Sequence, residues 1–257
     1  MLEKINWYGA YTLSKREVKR FMKVYHQTIL TPVVSSLIFL SVFVLAIGTN
    51  KTDIEGIKFI NFMGYGLIIM SIVQNAFANS SSSFIMSKVL GYIIDILTPP
   101  LGSIEIILAF TIGSVLRGLL VGVTVSIAFM PFIDYVIYHP LLLIFFVLSS
   151  CIFLGQLGII SGLISNTFDQ HSAVTNYLIT PLSFLSGTFY SVKQLPEFFQ
   201  YVNLLNLFFY IIDGFRYCLT NHADSNIISG MAFLVVANIL IFLLLVRLIN
   251  IGWRIKS

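Results

Sequence analysis

The sequence predicts an all-α integral membrane protein with six transmembrane helices, and three observations predict this class. Hydrophobic residues make up 57% of the 257 residues, and charged residues make up only 10%. The mean hydropathy is +0.92. Because roughly a quarter of the residues in a soluble domain are charged, this chain cannot cover itself with a water-compatible surface. Its apolar stretches also reach the length of about 20 residues that a helix needs to cross a bilayer core of about 30 Å.

Six apolar stretches are the predicted spans. They are Leu30–Gly48, Phe59–Ala78, Ile106–Phe132, Leu141–Ile164, Ala173–Tyr190 and Ile227–Val246. We divide the chain accordingly into a cytoplasmic N-terminus (1–29), a transmembrane domain (30–250) and a cytoplasmic tail (251–257). The glycine pairs Gly118/Gly122 and Gly158/Gly162 have the spacing that lets helices approach closely. We expect them to serve packing within the chain, with a dimer contact as the alternative.

The third span contains Arg117, the only ionisable residue within the six spans. Its guanidinium is expected to snorkel to the cytoplasmic headgroups, and the alternative is that it lines a substrate path. The spans contain no carboxylate, although proton- and sodium-coupled carriers usually need an ionisable group or a broken-helix ion site near the midplane. The sequence therefore indicates that any driving energy comes from another source.

The distribution of lysine and arginine predicts that both termini are cytoplasmic. With this orientation ten basic residues lie inside and four lie outside, whereas the inverted orientation reverses that ratio. The inner group is Lys4, Lys15, Arg16, Lys19, Arg20, Lys23, Lys88, Arg247, Arg254 and Lys256, and the outer group is Lys51, Lys58, Lys193 and Arg216. The net charge of +4 thus reflects membrane orientation, and no nucleic-acid partner is expected.

Three segments outside the spans have predicted structure. Ser14 and Glu17 have capping-box spacing, which predicts an amphipathic helix that begins near Lys15 and lies on the anionic leaflet. In the cytoplasmic loop 79–103, the apolar stretch Phe84–Leu97 predicts a short amphipathic helix, closed by Thr98, Pro99 and Pro100. The external segment Ser191–Asn226 is too apolar to stand in water, so we expect a re-entrant helical hairpin between the fifth and sixth spans.

The external hairpin carries one predicted ion pair and many aromatic residues. Asp213 and Arg216 are three residues apart, the spacing of neighbours on one helix face, and we expect a structural pair that pins the hairpin. The aromatic residues have two interpretations, an interfacial belt or an external gate along a path for an amphiphile. The candidate gate residues are Phe184, Phe189, Tyr190, Phe198, Phe199, Phe208, Phe209 and Tyr210.

Residues for chemistry are sparse in this sequence. There is no Gly-x4-Gly-Lys-Ser/Thr motif, so the chain does not bind ATP through a P-loop. The four histidines are scattered, and no metal site or catalytic residue is predicted. An integral membrane enzyme acting on lipid-linked substrates stays an alternative, and Asp169 with His171 is the nearest candidate for it. A passive channel or scaffold is the other alternative.

The order of several short motifs resembles one family along nearly the whole chain. The motifs are Arg16-Glu17, Gln27-Thr28, Pro32, Asp95–Pro100, Arg117–Gly122, Thr167–Asp169, Thr180–Tyr190, Leu195-Pro196 and Gly214–Tyr217. In this order the chain resembles the ABC-2 type transporter permeases, in particular compact bacterial members that export polysaccharides, lipo-oligosaccharides, lipids or drugs.

The resemblance implies a half-transporter of the bacterial inner membrane rather than an enzyme. Two copies would form the path, and two separate ABC-type subunits would bind ATP and Mg²⁺, leaving this chain without a cofactor of its own. A coupling helix in the cytoplasmic loop would dock on the ATPase, and an interface helix near Lys15–Gln27 would rest against it. The implied coupling residues are Lys88, Tyr92, Ile94, Asp95, Leu97, Thr98 and Pro99, and the implied interface-helix residues are Arg16, Glu17 and Arg20.

Overall fold

The computed structural model describes residues 6–47, 53, 54 and 56–254. The predicted end of the first span at Gly48, the outer Lys51, the inner Lys4 and the tail residues 255–257 lie outside this description. The helices are α1 (Trp7–Lys23), α2 (Thr31–Ile47), α3 (Phe59–Val89), α4 (Ile93–Leu97), α5 (Ser103–Phe129), α6 (Pro140–Ile164), α7 (Phe168–Val174), α8 (Thr180–Leu185), α9 (Glu197–Leu204), α10 (Leu207–Thr220) and α11 (Ile227–Ile251). Two π-helical turns, His26–Leu30 and Thr175–Ile179, lead into α2 and join α7 to α8.

The all-α membrane class is confirmed by the length and apolarity of the helices. Within the described residues five helices are long and apolar enough to cross a bilayer: His26–Leu45, Phe59–Val89, Ser103–Phe129, Pro140–Ile164 and Ile227–Ile251. A sixth crossing is reached if α9 and α10, which meet at 89°, are counted as one bent span. The external hairpin predicted from the aromatic segment corresponds to this bent pair.

Two predicted spans differ most from the observed helices in their bounds. The second was predicted to end at Ala78, but α3 continues to Val89 and its 31 residues extend about 46 Å. The fifth was predicted over Ala173–Tyr190, yet helical structure runs from Phe168 through the π turn and ends at Leu185. A turn follows in which Gly187 adopts φ +78°, a conformation that other residues adopt only with strain. This segment is not among the five single helices that pass the length and apolarity test.

Helix α3 is the central helix of the bundle because glycines on its neighbours let them approach it closely. A Cβ at Gly122 of α5 would lie 2.6 Å from Ile72, and one at Gly158 of α6 would lie 2.6 Å from the carbonyl oxygen of Phe77. A Cβ at Gly118 would lie 3.2 Å from the carbonyl oxygen of Ile72, and one at Gly162 would lie 2.6 Å from the Cβ of Phe84. These contacts confirm that both glycine pairs pack within the chain.

The buried side chains form two clusters at different heights in the bundle. The larger cluster joins α3, α5, α6 and α10 and includes Phe77, Phe129, Phe146 and Ile211. The second lies at the other end of the bundle, where the ends of α3 and α6 meet α1, α4, α5 and α11. This second cluster positions the segment between α3 and α5, in which the sequence predicts the coupling helix.

Candidate functional site

The short helix α4 has one buried face and one exposed face. Ile93 and Ile96 are 6% and 2% exposed, whereas Ile94 is 62% exposed. Asp95 points to the exposed side with Ile94, and the hydroxyl of Thr98 closes the helix by donating to the carbonyl of Ile94 at 2.7 Å. We call the exposed side chains of this segment the α4 surface: Tyr92, Ile94, Asp95, Thr98 and Pro99. This surface combines the apolar Ile94 and Pro99 and the ring of Tyr92 with the polar Asp95 and Thr98.

The buried face of α4 connects this surface to the membrane helices. Ile93 and Ile96 belong to the cluster that contains Leu13 of α1, Phe110 of α5 and Ile249 of α11. Leu97, predicted as a docking residue, is only partly exposed and packs against the same cluster. The shared cluster therefore links the buried face of α4 to side chains of α1, α5 and α11.

Lys88 was predicted as a docking residue, and its burial corrects that interpretation. The side chain is at the end of α3 and the residue is 4% exposed. Its ammonium donates to the carbonyls of Leu163 at 2.9 Å and Ser165 at 2.7 Å, with longer contacts to Gly162 and Asn166. A cation is favoured at these carbonyls, because the last carbonyls of a helix have no partner within the helix. Lys88 therefore braces α3 against the end of α6 and is not available to a partner protein.

The helix predicted to begin near Lys15 begins instead at Trp7. The capping residue is Asn6, whose side-chain oxygen accepts from the backbone N–H of Gly9 at 2.9 Å. Ser14 lies inside the helix and donates to the carbonyl of Ala10 at 2.7 Å, so the capping-box prediction was wrong. Asparagine caps as effectively as serine, and the earlier cap lengthens the helix to 17 residues.

Helix α1 docks on α3 and α5 through a buried polar contact. Glu17 is fully buried and accepts from the Nε of Arg20 at 3.3 Å. The Nη2 of Arg20 also donates to the backbone carbonyl of Asn79 at 2.8 Å and to its side-chain oxygen at 2.9 Å. Gly113 leaves the room for this contact, because a Cβ there would lie 2.9 Å from Glu17 and 3.0 Å from Asn79. Of the predicted interface-helix residues, Arg16 is exposed, whereas Glu17 and Arg20 hold the helix in place.

A second set of contacts ties the start of α1 to the loop after α4. The backbone N–H of Asn6 donates to Glu105 Oε1 at 3.0 Å, and its side chain donates to the carbonyl of Pro100 at 3.3 Å. Sequence reasoning missed Asn6, Asn79 and Glu105. Two signals were present: Asn79 follows Asn75 by one helical turn, and Glu105 is an isolated carboxylate at the start of an apolar stretch.

Asp213 and Arg216 each hold a different loop beside α10. Asp213 accepts from the backbone N–H groups of Asp224 and Ser225, both at 2.8 Å, and from the Ser225 hydroxyl at 2.6 Å. Arg216 donates to the carbonyl of Gly187 at 2.9 Å, and its guanidinium carbon lies 3.5 Å from the ring centroid of Phe62. The two side chains therefore fix α10 to the turn after α8 and to the start of α11, which goes beyond the local role predicted for them.

The predicted gate aromatics separate into three groups. Phe184 and Phe189 stack at 5.3 Å between centroids, and Phe189 also stacks on Phe43 of α2 at 5.0 Å. Phe208 and Phe209 are each 3% exposed and pack inside the bundle, whereas Phe198 is 71% exposed. Three residues remain. Tyr190 is half-buried and its hydroxyl donates to the carbonyl of Leu185. The ring of Phe199 makes an edge contact with Phe198, and the ring of Tyr210 makes one with Phe233. Within the single chain, burial thus favours a structural role for Phe208 and Phe209.

Comparison with known proteins agrees with this architecture. The family model of the ABC-2 type transporter matches residues 8–220. The inner membrane transport permease YadH of Escherichia coli K12 is 31% identical over 251 residues, which cover 98% of each chain. The protein of the same name from Shigella flexneri matches with the same identity and coverage. The chain belongs to the ABC-2 type transporter family.

Membership of this family defines the class of protein. The chain is a multi-pass membrane protein and the permease subunit of an ABC transporter, and its role is transport rather than catalysis. The α4 surface and helix α1 are the candidate sites for coupling within this class.

Proposed function

We propose that this chain is the membrane half of an ATP-driven exporter of the bacterial inner membrane. Two copies form the translocation path, and each copy carries one separate ABC-type ATP-binding subunit on its cytoplasmic side. ATP and Mg²⁺ bind to that subunit and not to this chain. The cargo is an amphiphile, with polysaccharides, glycolipids and drugs as the classes to be tested.

The observation that carries this proposal is the construction of the α4 surface. Ile94 presents an apolar side chain with 62% exposure, although the neighbouring Ile93 and Ile96 are buried. Since α3 is about 46 Å long, longer than the hydrocarbon core of about 30 Å, its final turns carry α4 out of the membrane. An exposed apolar side chain on a rigidly held helix outside the bilayer favours docking against another protein.

The proposed topology places both termini and α4 in the cytoplasm. The basic residues support it, since ten of them then lie on the inner side. In this topology the helical segment Phe168–Leu185 makes the fifth crossing, and its 18 residues would extend about 27 Å. The bent pair α9–α10 then enters and leaves the outer leaflet without crossing.

The uneven burial of the spans supports assembly with a second copy. Among the 18 most apolar consecutive residues of α3, 72% are buried, whereas the corresponding shares for His26–Leu45 and Ile227–Ile251 are only 17% and 22%. The two poorly buried helices leave surface for lipid and for a second copy.

The experiment compares Ile94→Asp with Ile251→Asp in the protein isolated with its ATP-binding subunit in mild detergent. Ile251 is a matched control because it is also an exposed isoleucine, at 68%, and it ends α11 on the same proposed side. We expect Ile94→Asp to lose the ATP-binding subunit and the cargo-stimulated ATPase activity, while Ile251→Asp keeps both. Full retention of the subunit and of activity by Ile94→Asp would overturn the docking role of α4.

A further inference from the structure

A groove with a volume of about 370 Å³ lies between α1 and α5. Its apolar floor is formed by Leu108, Ile112 and Leu116 of α5, and its α1 side includes Trp7, Tyr11 and Lys15. The three floor residues are spaced by four, so they share one helix face and extend about 12 Å along it. Ile112 and Leu116 are 44% and 43% exposed. The described part of the chain therefore leaves much of this floor uncovered.

Both helices that form the groove belong to, or directly precede, a candidate membrane span. The floor lies in Ser103–Phe129, and α1 ends at Lys23, shortly before His26–Leu45. On the α1 side of the groove, Trp7 and Tyr11 are 67% and 63% exposed, and these two residue types are enriched where a membrane meets water. The position and the apolar floor favour an acyl chain over a water-soluble ligand.

The exposed charges of α1 are all positive. They are Lys15, Arg16, Lys19 and Lys23. The carboxylates of α1 and α5, Glu17 and Glu105, are both buried. Glu17 is paired with Arg20, and Glu105 accepts from the backbone N–H of Asn6. The surface of α1 thus presents positive charge to its surroundings, and such a cluster on a helix beside a span attracts anionic lipid.

Lys15 brings this positive charge to the groove. Its ammonium makes no hydrogen bond or ion pair with the described residues, and it lies 5.9 Å from the ring centroid of Tyr11. Two further cations of these helices, Arg20 and Arg117, donate to asparagines of α3 and do not line the groove. Lys15 is therefore the group at this groove that complements a phosphate.

We propose that the groove between α1 and α5 binds one anionic phospholipid, whose phosphate pairs with Lys15 and whose acyl chain lies on Leu108, Ile112 and Leu116. The lipid fills the space between the two helices and holds α1 beside the membrane. The site consists of residues of this chain, so the binding does not rest on the exporter proposal. A lipid is favoured over a protein as the occupant because the floor is part of a candidate membrane span.

The test measures the affinity of the purified full chain for lipid by native mass spectrometry in detergent. The probes are phosphatidylglycerol and phosphatidylcholine with identical acyl chains. Lys15→Gln removes the charge at the groove, and Arg16→Gln is its matched control, because Arg16 is also an exposed cation of α1 but does not line the groove. Ile112→Trp fills the floor without a change of charge, and Ile144→Trp, at an exposed position of α6 outside the groove, is its control.

We expect one phosphatidylglycerol per chain to bind Lys15→Gln at least about fivefold more weakly than wild type, since one lysine contact with an anionic lipid is lost. Ile112→Trp should bind it severalfold more weakly, and both controls should bind it like wild type. Phosphatidylcholine, which has no net charge, should bind wild type and Lys15→Gln equally.

Two results would overturn the proposal. The first is equal affinity of wild type, Lys15→Gln and Ile112→Trp for phosphatidylglycerol. The second is an equal loss of affinity in Lys15→Gln and Arg16→Gln, because it would mean diffuse attraction to α1 without a site in the groove.

A second measurement uses the wild-type chain, so it decides the question even if a variant does not fold. Phosphatidylglycerol should protect Lys15 from acetylation severalfold more than Lys23, which is exposed at the end of α1. Equal protection of the two lysines would contradict the site. Protection of Lys15 by an added ATP-binding subunit but not by phosphatidylglycerol would assign the groove to protein docking and would also overturn the lipid proposal. Absence of ATP-dependent transport would refute the exporter proposal and leave these binding results unchanged.

Discussion

The close approach of α6 to α3 at Gly158 predicts a measurable loss of stability in Gly158→Ala. The new Cβ would lie 2.6 Å from the backbone oxygen of Phe77 and closer still to the hydroxyl oxygen of Ser80. Relative to ordinary contact at 3.4 Å, the first distance is about 0.8 Å too short. A backbone oxygen inside a helix cannot rotate away, so the two helices must separate.

The expected magnitude follows from three contributions. Overpacking of a tight contact costs about 1–3 kcal/mol. Separation of the helices also weakens the hydrogen bond from Ser80 to the carbonyl of Gly155, 2.6 Å long, at about 1 kcal/mol. Replacing glycine by alanine inside a helix returns about 1 kcal/mol. The net destabilisation is about 2 kcal/mol, which corresponds to a decrease of about 4–8 °C in Tm.

The assay is thermal unfolding of the detergent-purified chain followed by tryptophan fluorescence or thiol labelling of the buried Cys151. Gly230→Ala is the matched control, since its Cβ would meet only the flexible ring of Tyr210 at 3.0 Å. We expect a change of less than about 2 °C in the control, because a side chain can shift at low cost. A Tm of Gly158→Ala equal to wild type would refute the inference that this glycine is required by the α3–α6 distance.

Three further predictions follow from individual contacts. Gly113→Ala should push α1 away from α5, because the new Cβ would lie 2.9 Å from Glu17; increased protease cleavage before residue 24 with intact spans measures this, and unchanged protection contradicts it. Lys88→Met should lower the free energy of unfolding by about 1.5–3 kcal/mol, because it leaves the carbonyls of Leu163 and Ser165 without their donor. Lys88→Arg should have a Tm between those of Lys88→Met and wild type. Equal Tm values for all three proteins would contradict the contact between α3 and α6 through Lys88. Lys58 and Asp134 form an ion pair at 2.9 Å. The hydrogen bond from Lys58 is the main cause that lowers the pKa of Asp134. The small stabilisation by this pair is therefore present above about pH 4 and is lost as the pH falls through the lowered pKa of Asp134. The Tm of wild type should therefore fall more steeply below pH 4 than that of Asp134→Asn, and parallel pH profiles would contradict this.

The membrane class and most spans were predictable because the bilayer imposes a length and a polarity on each crossing helix. Five of the predicted spans overlap helices that pass the length and apolarity test. The fifth predicted span is different, because its helical segment begins at Phe168, contains the π turn Thr175–Ile179 and ends at Leu185, before the turn at Gly187. A local apolar average cannot detect such a change of helix type or the turn.

A short helix in the loop 79–103 was predictable, but its bounds were not. The prediction ran over Phe84–Leu97, whereas Phe84–Val89 belong to α3 and the short helix is Ile93–Leu97. Tyr92, Ile94 and Asp95 of the predicted docking residues are exposed. The burial of Lys88 depends on the end of α6, which is more than 70 residues away in sequence, so local pattern could not reveal it. The cap at Asn6 was missed because the Ser14–Glu17 spacing offered a competing cap signal.

The side-chain direction of Arg117 shows a further limit of the sequence. The sequence identified it as an intramembrane charge, but the direction of its side chain depends on the α3–α5 contact that places Asn75 at 3.1 Å. The hydrogen bond therefore defines a contact between α5 and α3 that the sequence alone could not show.

The most direct test of the central claim is isolation of the tagged chain from its native membrane in mild detergent, with mass spectrometry and an ATPase assay. We predict a near-stoichiometric subunit that carries a P-loop, with ATP hydrolysis that disappears when the P-loop lysine of that subunit is changed. Recovery of this chain alone, under conditions that keep a known ABC complex intact, would contradict the proposal that it is the membrane half of an ATP-driven exporter.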